Sequence, residues 1–168
     1  MSRAVRVYQP GGTYFFTVVT RWRRPIFDSE ATVELLRDAI RRERSRRPFE
    51  ISAMVVLPDH LHALWVLPEG DADHSSRWRE IKKRFTHLFQ GAAHTPVWQP
   101  RYWDHLIRDE NDWRLHMDYI HYNPVKHGYC ARAADWRWSS FHTLVRTGWY
   151  SEDWGTDVGE DIRRMDLE

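Results

Sequence analysis

The sequence predicts an α+β fold in which a four-stranded antiparallel sheet carries helices on one face. Three observations favour it. Strand-like and helix-like segments follow in the order strand, helix, strand, strand, helix, strand; one extra helix comes after them; and no linker or repeat divides the 168 residues. This order is that of a ferredoxin-like split β-α-β arrangement. We expect one domain over residues 1–150 and an acidic C-terminal tail over residues 151–168.

The four predicted strands are recognised by β-branched and aromatic residues next to turn signals. Residues 13–20 follow a Gly-Gly pair and form the first strand. Residues 50–57 and 60–67 are the second and third strands, joined by the short turn Pro58-Asp59. Residues 101–108 are the fourth. On the third strand we expect Leu61, Ala63 and Trp65 to face the covering helices, which leaves the other face open.

The three predicted helices are recognised by apolar stripes and capping residues. The first follows Ser29 and ends before Pro48; the second begins after Ser75 or Ser76. The extra helix begins near Asp109 or Asn111 and ends around Asn123-Pro124. Their apolar stripes are Val33, Leu36 and Ile40; Trp78, Ile81, Phe85 and Leu88; and Trp113, Met117 and Ile120.

The charge of the chain is unevenly distributed. The formal net charge is +1, from 25 basic and 24 acidic residues. The last 18 residues hold seven of the acids and only two of the bases, so residues 1–150 are net basic. A basic body favours a polyanion as partner. We hypothesise that the acidic tail mimics phosphate and thereby covers either the functional site of the body or a surface that binds DNA.

Cysteine content and hydropathy indicate the compartment. The single cysteine, Cys130, has no partner for an internal disulfide, which favours a reducing environment. The N-terminal residues lack an apolar signal core, and no apolar stretch is long enough to span a bilayer. We therefore expect a soluble, cytoplasmic protein with no membrane partner.

The most informative feature is the pair His60 and His62, separated by one leucine. Side chains alternate along a strand, so both imidazoles point to the same face, where they can ligate one metal ion. The alternative is a pair of structural histidines. Two imidazoles are an incomplete site. Asn123 is the best third ligand and favours Mg²⁺ or Mn²⁺, whereas His121 or His116 would favour Zn²⁺.

Tyr119 lies one helical turn before Asn123, on the same face of the extra helix. A phenol beside a metal ion can attack a phosphodiester, because the ion stabilises the charge that develops on the phosphate. Tyr122 is an alternative nucleophile on spacing alone. The structural alternatives are a core tyrosine at Tyr119 and a helix C-cap at Asn123.

A basic surface with nearby aromatic residues is the third feature, and it is typical of nucleic-acid binding. The alternative is an ordinary solvated surface. Arg3 and Arg6 are further candidates near the first strand. The residues that we expect to contact DNA are Arg77, Arg79, Lys82, Lys83 and Arg84 on the second helix, with Arg101, Arg21, Arg23 and Arg24.

Nine short motifs occur in an order that resembles the REP-associated tyrosine transposases, relatives of the single-tyrosine HUH transposases of the IS200 type. The resemblance covers nearly the whole chain, through about Trp154. The motifs are GGTYFFTV at 11–18, RPFEI at 47–51, VVLPDHLH at 55–62, SRWREIKK at 76–83, WQPRYW at 98–103, DYI at 118–120, NPVKHG at 123–128, DW at 135–136 and SSFH at 139–142.

The resemblance implies a metal-dependent endonuclease and strand transferase that acts on single-stranded DNA with REP-type hairpins. It implies that His60 and His62 bind Mg²⁺ or Mn²⁺ and that Tyr119 forms a 5′-phosphotyrosine link. Relatives often carry glutamine one turn after the tyrosine, where this chain has the shorter Asn123. It also implies a bacterial, nucleoid-associated protein that acts as a monomer, although mobile-element relatives form dimers that exchange the tyrosine helix.

Two rival functions remain at this stage. A ferredoxin-like sheet with exposed aromatic residues also serves in non-catalytic DNA- or RNA-binding proteins. A metal-dependent hydrolase that uses bound water is the other rival, and Tyr119 would then be structural.

Overall fold

The computed structural model describes residues 6–91 and 95–168, so that Arg3 lies outside the described residues. Its sheet has the strand order β2-β3-β1-β4, and every neighbouring pair is antiparallel. This confirms the predicted α+β, ferredoxin-like arrangement. In chain order the strands and helices are β1 Thr13–Val19, α1 Glu30–Arg46, β2 Glu50–Val56, β3 His60–Val66, α2 His74–Gln90, β4 Trp103–Leu106, α3 Glu110–Lys126, α4 Phe141–Arg146 and α5 Glu160–Arg164.

Helices α1 and α2 cover one face of the sheet. Leu61, Ala63 and Trp65 of β3 are fully buried in the core that these helices form, as the alternation predicts. The indole rings of Trp65 and Trp78 stack with centroids 4.2 Å apart, which joins β3 to α2. Three residues of the predicted apolar stripe of α2 are buried, namely Trp78, Ile81 and Phe85, but Leu88 is 36% exposed.

The second face of the sheet is covered rather than open, and the sequence prediction is wrong on this point. Met117, Tyr119 and Ile120 of α3 pack on Phe15, Val55 and other residues of this face. Burial of these apolar side chains favours the docked helix. His60 and His62 point to this face as predicted, but they are only 1% and 0% exposed.

Helix α3 begins as predicted but ends later. Asp109 caps it, since its side chain accepts a hydrogen bond from the backbone N–H of Asp112. The helix continues through Pro124 to Lys126, and His127 is the C-cap. Pro124 lacks a backbone donor of its own, but the helical hydrogen bonds resume after it, since His127 N–H donates to Asn123 O at 3.0 Å. Asn123 is therefore inside the helix, which excludes the C-cap explanation for it.

Two other element boundaries differ from the prediction. Helix α2 is capped by Asp73, whose side chain accepts from Ser76 N–H, so neither Ser75 nor Ser76 is the cap. Strand β4 has only four residues, because its pairing with β1 covers Trp103 to Leu106 and no more. None of the described helices is long and apolar enough to cross a bilayer.

Residues 151–168 include helix α5 and return to the face of the sheet under α3. Met165 and Leu167 pack against the apolar cluster that contains Tyr119 and Ile120. The Lys126 ammonium donates to Met165 O at 2.5 Å, which ties the tail to the end of α3. The last residues therefore lie against the two histidines of β3.

Candidate active site

The two histidines of β3 are held in one orientation by different partners. His60 Nδ1 lies 2.6 Å from the Asp59 carboxylate, which can only accept a hydrogen bond. His62 Nδ1 lies 3.0 Å from Thr17 Oγ1, and the Thr17 hydroxyl donates its own proton to Leu167 O. Both Nδ1 atoms therefore carry a proton, and in each ring Nε2 is the nitrogen left to face a ligand.

Both Nε2 atoms are buried and have no hydrogen-bond partner within the described part of the chain. A buried polar atom without a hydrogen-bond partner lowers the stability of the fold. Two such atoms in neighbouring side chains, the Nε2 atoms of His60 and His62, therefore point to a ligand. The ring centroids of His60 and His62 are 4.9 Å apart. Burial lowers the pKa of His62 well below its usual value, and the positive charges of Lys126 and Arg23 add to the shift, so the imidazole of His62 stays neutral. Neutral imidazole is the form that binds metals.

Tyr119 faces these histidines from α3. Its ring centroid is 5.2 Å from that of His62 at an angle of 67°. The phenol oxygen accepts from Leu167 N–H at 3.3 Å and donates to Glu168 Oε1 at 3.5 Å. Burial raises the pKa of the phenol, so Tyr119 is protonated at neutral pH. One turn later Asn123 is fully buried, and neither polar atom of its amide is bonded among the described residues.

The carboxylate of Glu168, the last residue, lies within the same site. Its Oε1 is 2.5 Å from His127 Nε2 and 3.8 Å from His60 Nε2, and its Oε2 is 3.7 Å from Arg23. Burial acts to raise the pKa of this carboxyl, but the hydrogen bond with His127 and the neighbouring positive charges outweigh it and lower the pKa to about 2. The site thus contains a stable negative charge.

The residues present fit a divalent metal ion. Ligand atoms of His60, His62 and Glu168 all lie within 4.8 Å of one another. Two imidazoles and a carboxylate or amide oxygen suit a first-row divalent ion. His116 and His121, the alternative third ligands, are elsewhere. His116 groups with His105 and Asp112, and His121 bonds to Met117 O and Ser140.

Arg77 does not belong to the exposed basic surface, and this prediction is wrong. It is 1% exposed, and its guanidinium binds the Asp71 carboxylate at 2.7 Å. It also donates to the backbone carbonyls of Arg47, Asp73 and Pro48. These contacts join α2 to the loops around it, so Arg77 has a structural role.

Of the other predicted basic residues of α2, Arg79 is 71% exposed and Lys83 is exposed, whereas Lys82 and Arg84 are half-buried. Arg84 pairs with Asp38 of α1 at 2.9 Å. Lys82 donates to Gln99 O, and burial lowers the pKa of its ammonium to about 8.

A second basic group lies next to the histidine site. Arg21 and Arg101 line one open depression, and Arg23 contacts Asp59 and Glu168. Arg24 donates to Pro96 O at 2.7 Å. Arg6, by contrast, pairs with Asp104 and lies over the Tyr102 ring.

Sequence reasoning missed four residues that complete the site. They are Thr17, Asp59, His127 and Glu168. Asp59 had a local signal, because a carboxylate directly precedes the histidine pair. The concentration of acidic residues at positions 151–168 indicated that this region matters, but it did not single out Glu168. The position of Glu168 depends on how the chain returns to the sheet, which no local pattern shows.

Comparisons with known proteins identify the family of this chain. No model of a protein family matches the sequence. The REP-associated tyrosine transposase of Escherichia coli K12 is 51% identical over 158 residues, which cover 94% of this chain and 93% of that protein. A relative from Haemophilus influenzae with the same family name is 40% identical over 166 residues, 92% of this chain and 94% of that protein.

One solved structure is similar over nearly the full length. It is a REP-associated tyrosine transposase bound to a REP hairpin, with a TM-score of 0.87 and 51% identity, covering 95% of this chain and 94% of that one. The chain therefore belongs to the REP-associated tyrosine transposase family, which confirms the resemblance. Members are transposase enzymes of the HUH type.

Proposed function

We propose that this protein cleaves and rejoins single-stranded DNA bearing REP-type hairpins, through a covalent link between Tyr119 and a 5′-phosphate. One observation carries the proposal. Two buried imidazoles have Nε2 atoms that are unpartnered in the described structure, and a phenol on the facing helix lies beside them. The relative whose structure contains a REP hairpin supports this substrate class.

The metal would be Mg²⁺ or Mn²⁺, held by Nε2 of His60 and His62 and by the amide oxygen of Asn123, with the Glu168 carboxylate as a further oxygen donor until DNA displaces the tail. Both oxygen donors belong to the hard type that these ions prefer. When bound, the ion neutralises charge on the phosphate oxygens. Asp59 and Thr17 keep the two imidazoles in the orientation and tautomer that ligation needs.

Tyr119 would act as the nucleophile. Its Oη forms a bond to phosphorus while the bond between phosphorus and the 3′-oxygen breaks. The phenol loses one proton and the 3′-oxygen gains one, so the step needs no other reactant. The 3′-hydroxyl of a strand can later attack the phosphotyrosine, which reverses the step and rejoins the DNA. Lys126, 5.0 Å from the Tyr119 ring, adds positive charge near the phosphate.

The DNA would run along a basic track that leads to the histidines. One depression is lined by Lys82 and Lys83, and the next by Arg21 and Arg101; the two share Gln99 and Pro100. Arg23 belongs to the same turn as Arg21 and lies 3.7 Å from Glu168. Arg79, Arg84 and Arg24 would add contacts at the edges. Phosphate contacts of this kind position a strand without reading its sequence.

The C-terminal tail would have to leave before DNA enters. The Glu168 carboxylate sits among His60, His127 and Arg23, where a scissile phosphate would need the same partners. Leu167 N–H also donates a hydrogen bond to the Tyr119 hydroxyl oxygen, which would be the attacking atom. A carboxylate that mimics phosphate would therefore reduce the activity of the DNA-free protein.

Within one chain the tyrosine already lies beside the histidines, so the site needs no exchanged helix. This supports action as a monomer, with no obligate protein partner. A protein that acts on chromosomal repeats would work at the bacterial nucleoid.

The test is formation of a covalent adduct. The protein is incubated with Mn²⁺ and a labelled REP-type hairpin oligonucleotide, then denatured and separated. The wild type and the Tyr122→Phe control should both give a labelled protein band, and Tyr119→Phe should give none while it still binds the hairpin. A pure binding protein gives no cleavage, and a water-dependent hydrolase cleaves equally well in Tyr119→Phe. Either result would reject the proposal.

A further inference from the structure

Trp22 is the most exposed large apolar side chain of the described residues, at 66%. It lies in the short 3₁₀ turn Arg21–Arg23, which follows β1 after Thr20. Trp22 and Arg23 have φ angles of 56° and 50°, which is the left-handed region that residues other than glycine rarely adopt. Such backbone persists only where the surroundings hold it, and it is concentrated at functional sites.

Hydrogen bonds on both sides hold this turn. Arg21 N–H donates to Val97 O at 2.7 Å, and Arg23 N–H donates to Thr20 O at 3.1 Å. The Thr20 hydroxyl contacts both Arg24 O and Asp59 O, at 2.8 and 2.9 Å. The indole is therefore presented to solvent by a fixed backbone, which is how a preorganised binding platform is built.

The surroundings of the Trp22 ring match the chemistry of a nucleotide. The guanidinium carbons of Arg21 and Arg24 lie over the Trp22 ring, 5.1 and 5.6 Å from its centroid. The depression beside the ring has a volume of about 620 Å³ and is also lined by Gln99, Pro100 and Arg101. An aromatic face bordered by cations binds a stacked base and its phosphates together.

The turn is also directly connected to the candidate active site. Arg23, next to Trp22, lies 3.2 Å from Asp59 Oδ2 and 3.7 Å from Glu168 Oε2. Asp59 in turn holds His60. A strand whose phosphate replaces the Glu168 carboxylate would therefore have its neighbouring base close to Trp22.

We propose that Trp22 is a stacking platform for one unpaired base next to the scissile phosphate, with Arg21 and Arg101 on the adjoining phosphates. This inference rests on the proposed function and assigns a positioning residue to it. Stacking needs both the base and the indole, so removing either one should slow adduct formation by the same factor. Removing both should cause no further loss, because the interaction is already absent.

The experiment is an abasic scan of the unpaired positions around the cut, read as the rate of adduct formation. Wild type should lose roughly 5- to 150-fold at one position, which is the range for one stacked base. Trp22→Ala should be slower by a similar factor on the intact strand and should show no further loss at that position. Trp22→Phe should retain most of the rate.

The matched control is Trp149→Ala, which removes another exposed indole, at 47%, that packs on Trp113. It should show the wild-type abasic profile. If Trp22→Ala cleaves as fast as the wild type, or if its abasic profile equals that of the wild type, the platform is rejected while the proposed function stands. If the wild type forms no adduct on any strand, the proposed function fails and the platform with it.

Discussion

The ring of Tyr119 lies 5.2 Å from the ring of His62, although one is on α3 and the other on β3. Their proximity depends on the packing of α3 on the sheet, through Met117 and Ile120 against Phe15 and Val55. The proposed nucleophile and the proposed metal ligands are thus positioned by one small apolar interface. Residues that orient these groups without touching DNA should therefore control the activity.

The first prediction concerns Asp59, which fixes His60 through Nδ1. Asp59→Ala removes this hydrogen bond, so Mn²⁺ affinity should fall roughly 10- to 100-fold, as for other partners of metal ligands. The measurement is the Mn²⁺ concentration for half-maximal cleavage, with direct Mn²⁺ binding alongside. Asp28→Ala, an exposed acid, is the control. Equal Mn²⁺ requirements for the two variants would show that Asp59 does not orient a ligand.

The second prediction concerns the tail. Deletion of Leu167 and Glu168 removes the contacts with Tyr119, His127 and His60, so cleavage at saturating Mn²⁺ should accelerate. Hydrogen bonds to charged groups suggest a rate increase of roughly 10- to 100-fold. Initial rates with a labelled hairpin strand measure it. Asp166→Asn, which keeps both terminal residues, should cleave at the wild-type rate. An unchanged or slower rate in the deletion variant would mean that the tail does not compete with DNA.

The third prediction separates the structural arginine from the surface arginines of α2. Arg77→Ala leaves Asp71 without its partner and breaks three contacts with backbone carbonyls, so the free energy of unfolding should fall by about 3 kcal/mol. Arg79→Ala should change it by less than about 0.5 kcal/mol. Urea denaturation gives both values. Equal stability of the two variants would contradict the structural role of Arg77.

The fourth prediction is a loss of stability in mild acid. His121 is fully buried, its Nδ1 bonds to Met117 O, and burial lowers its pKa to about 4. Burial also lowers the pKa of His74 to about 4. Between the unfolded pKa near 6.5 and about 4 the unfolded chain binds more protons. The free energy of unfolding should therefore fall as the pH falls through this window, by up to about 3 kcal/mol for His121.

Urea denaturation at several pH values between 7 and 4.5 measures this dependence. The slope should be smaller in His121→Gln than in His87→Gln, because His87 is exposed on α2. A wild-type stability that is constant over this range would show that these histidines are not buried in the neutral form.

Much of the fold followed from the sequence because its signals are local. Alternation on β3 assigned Leu61 and Trp65 to the helix side and His60 to the other, and Ser29 marked the start of α1. The covered second face was missed. Nothing local to the segment 110–126 states which face of the sheet its apolar side will meet.

The candidate site was predicted only in part for the same reason. His60, His62, Tyr119 and Asn123 were found from spacing within single elements. Thr17 and Glu168 reach the site from opposite ends of the chain, so only the folded topology brings them there. The prediction that Arg77 contacts DNA was wrong because an exposed basic stripe and a stripe with one buried arginine have the same local sequence pattern.

The most direct measurement is the identity of the residue that becomes linked to DNA. The adduct formed with Mn²⁺ and a REP-type hairpin strand is digested with protease and nuclease, and the modified peptide is sequenced by mass spectrometry. The account predicts a nucleotide attached through its 5′-phosphate to Tyr119. Attachment to Tyr122 or to any other residue would contradict it, as would cleavage that leaves no modified tyrosine.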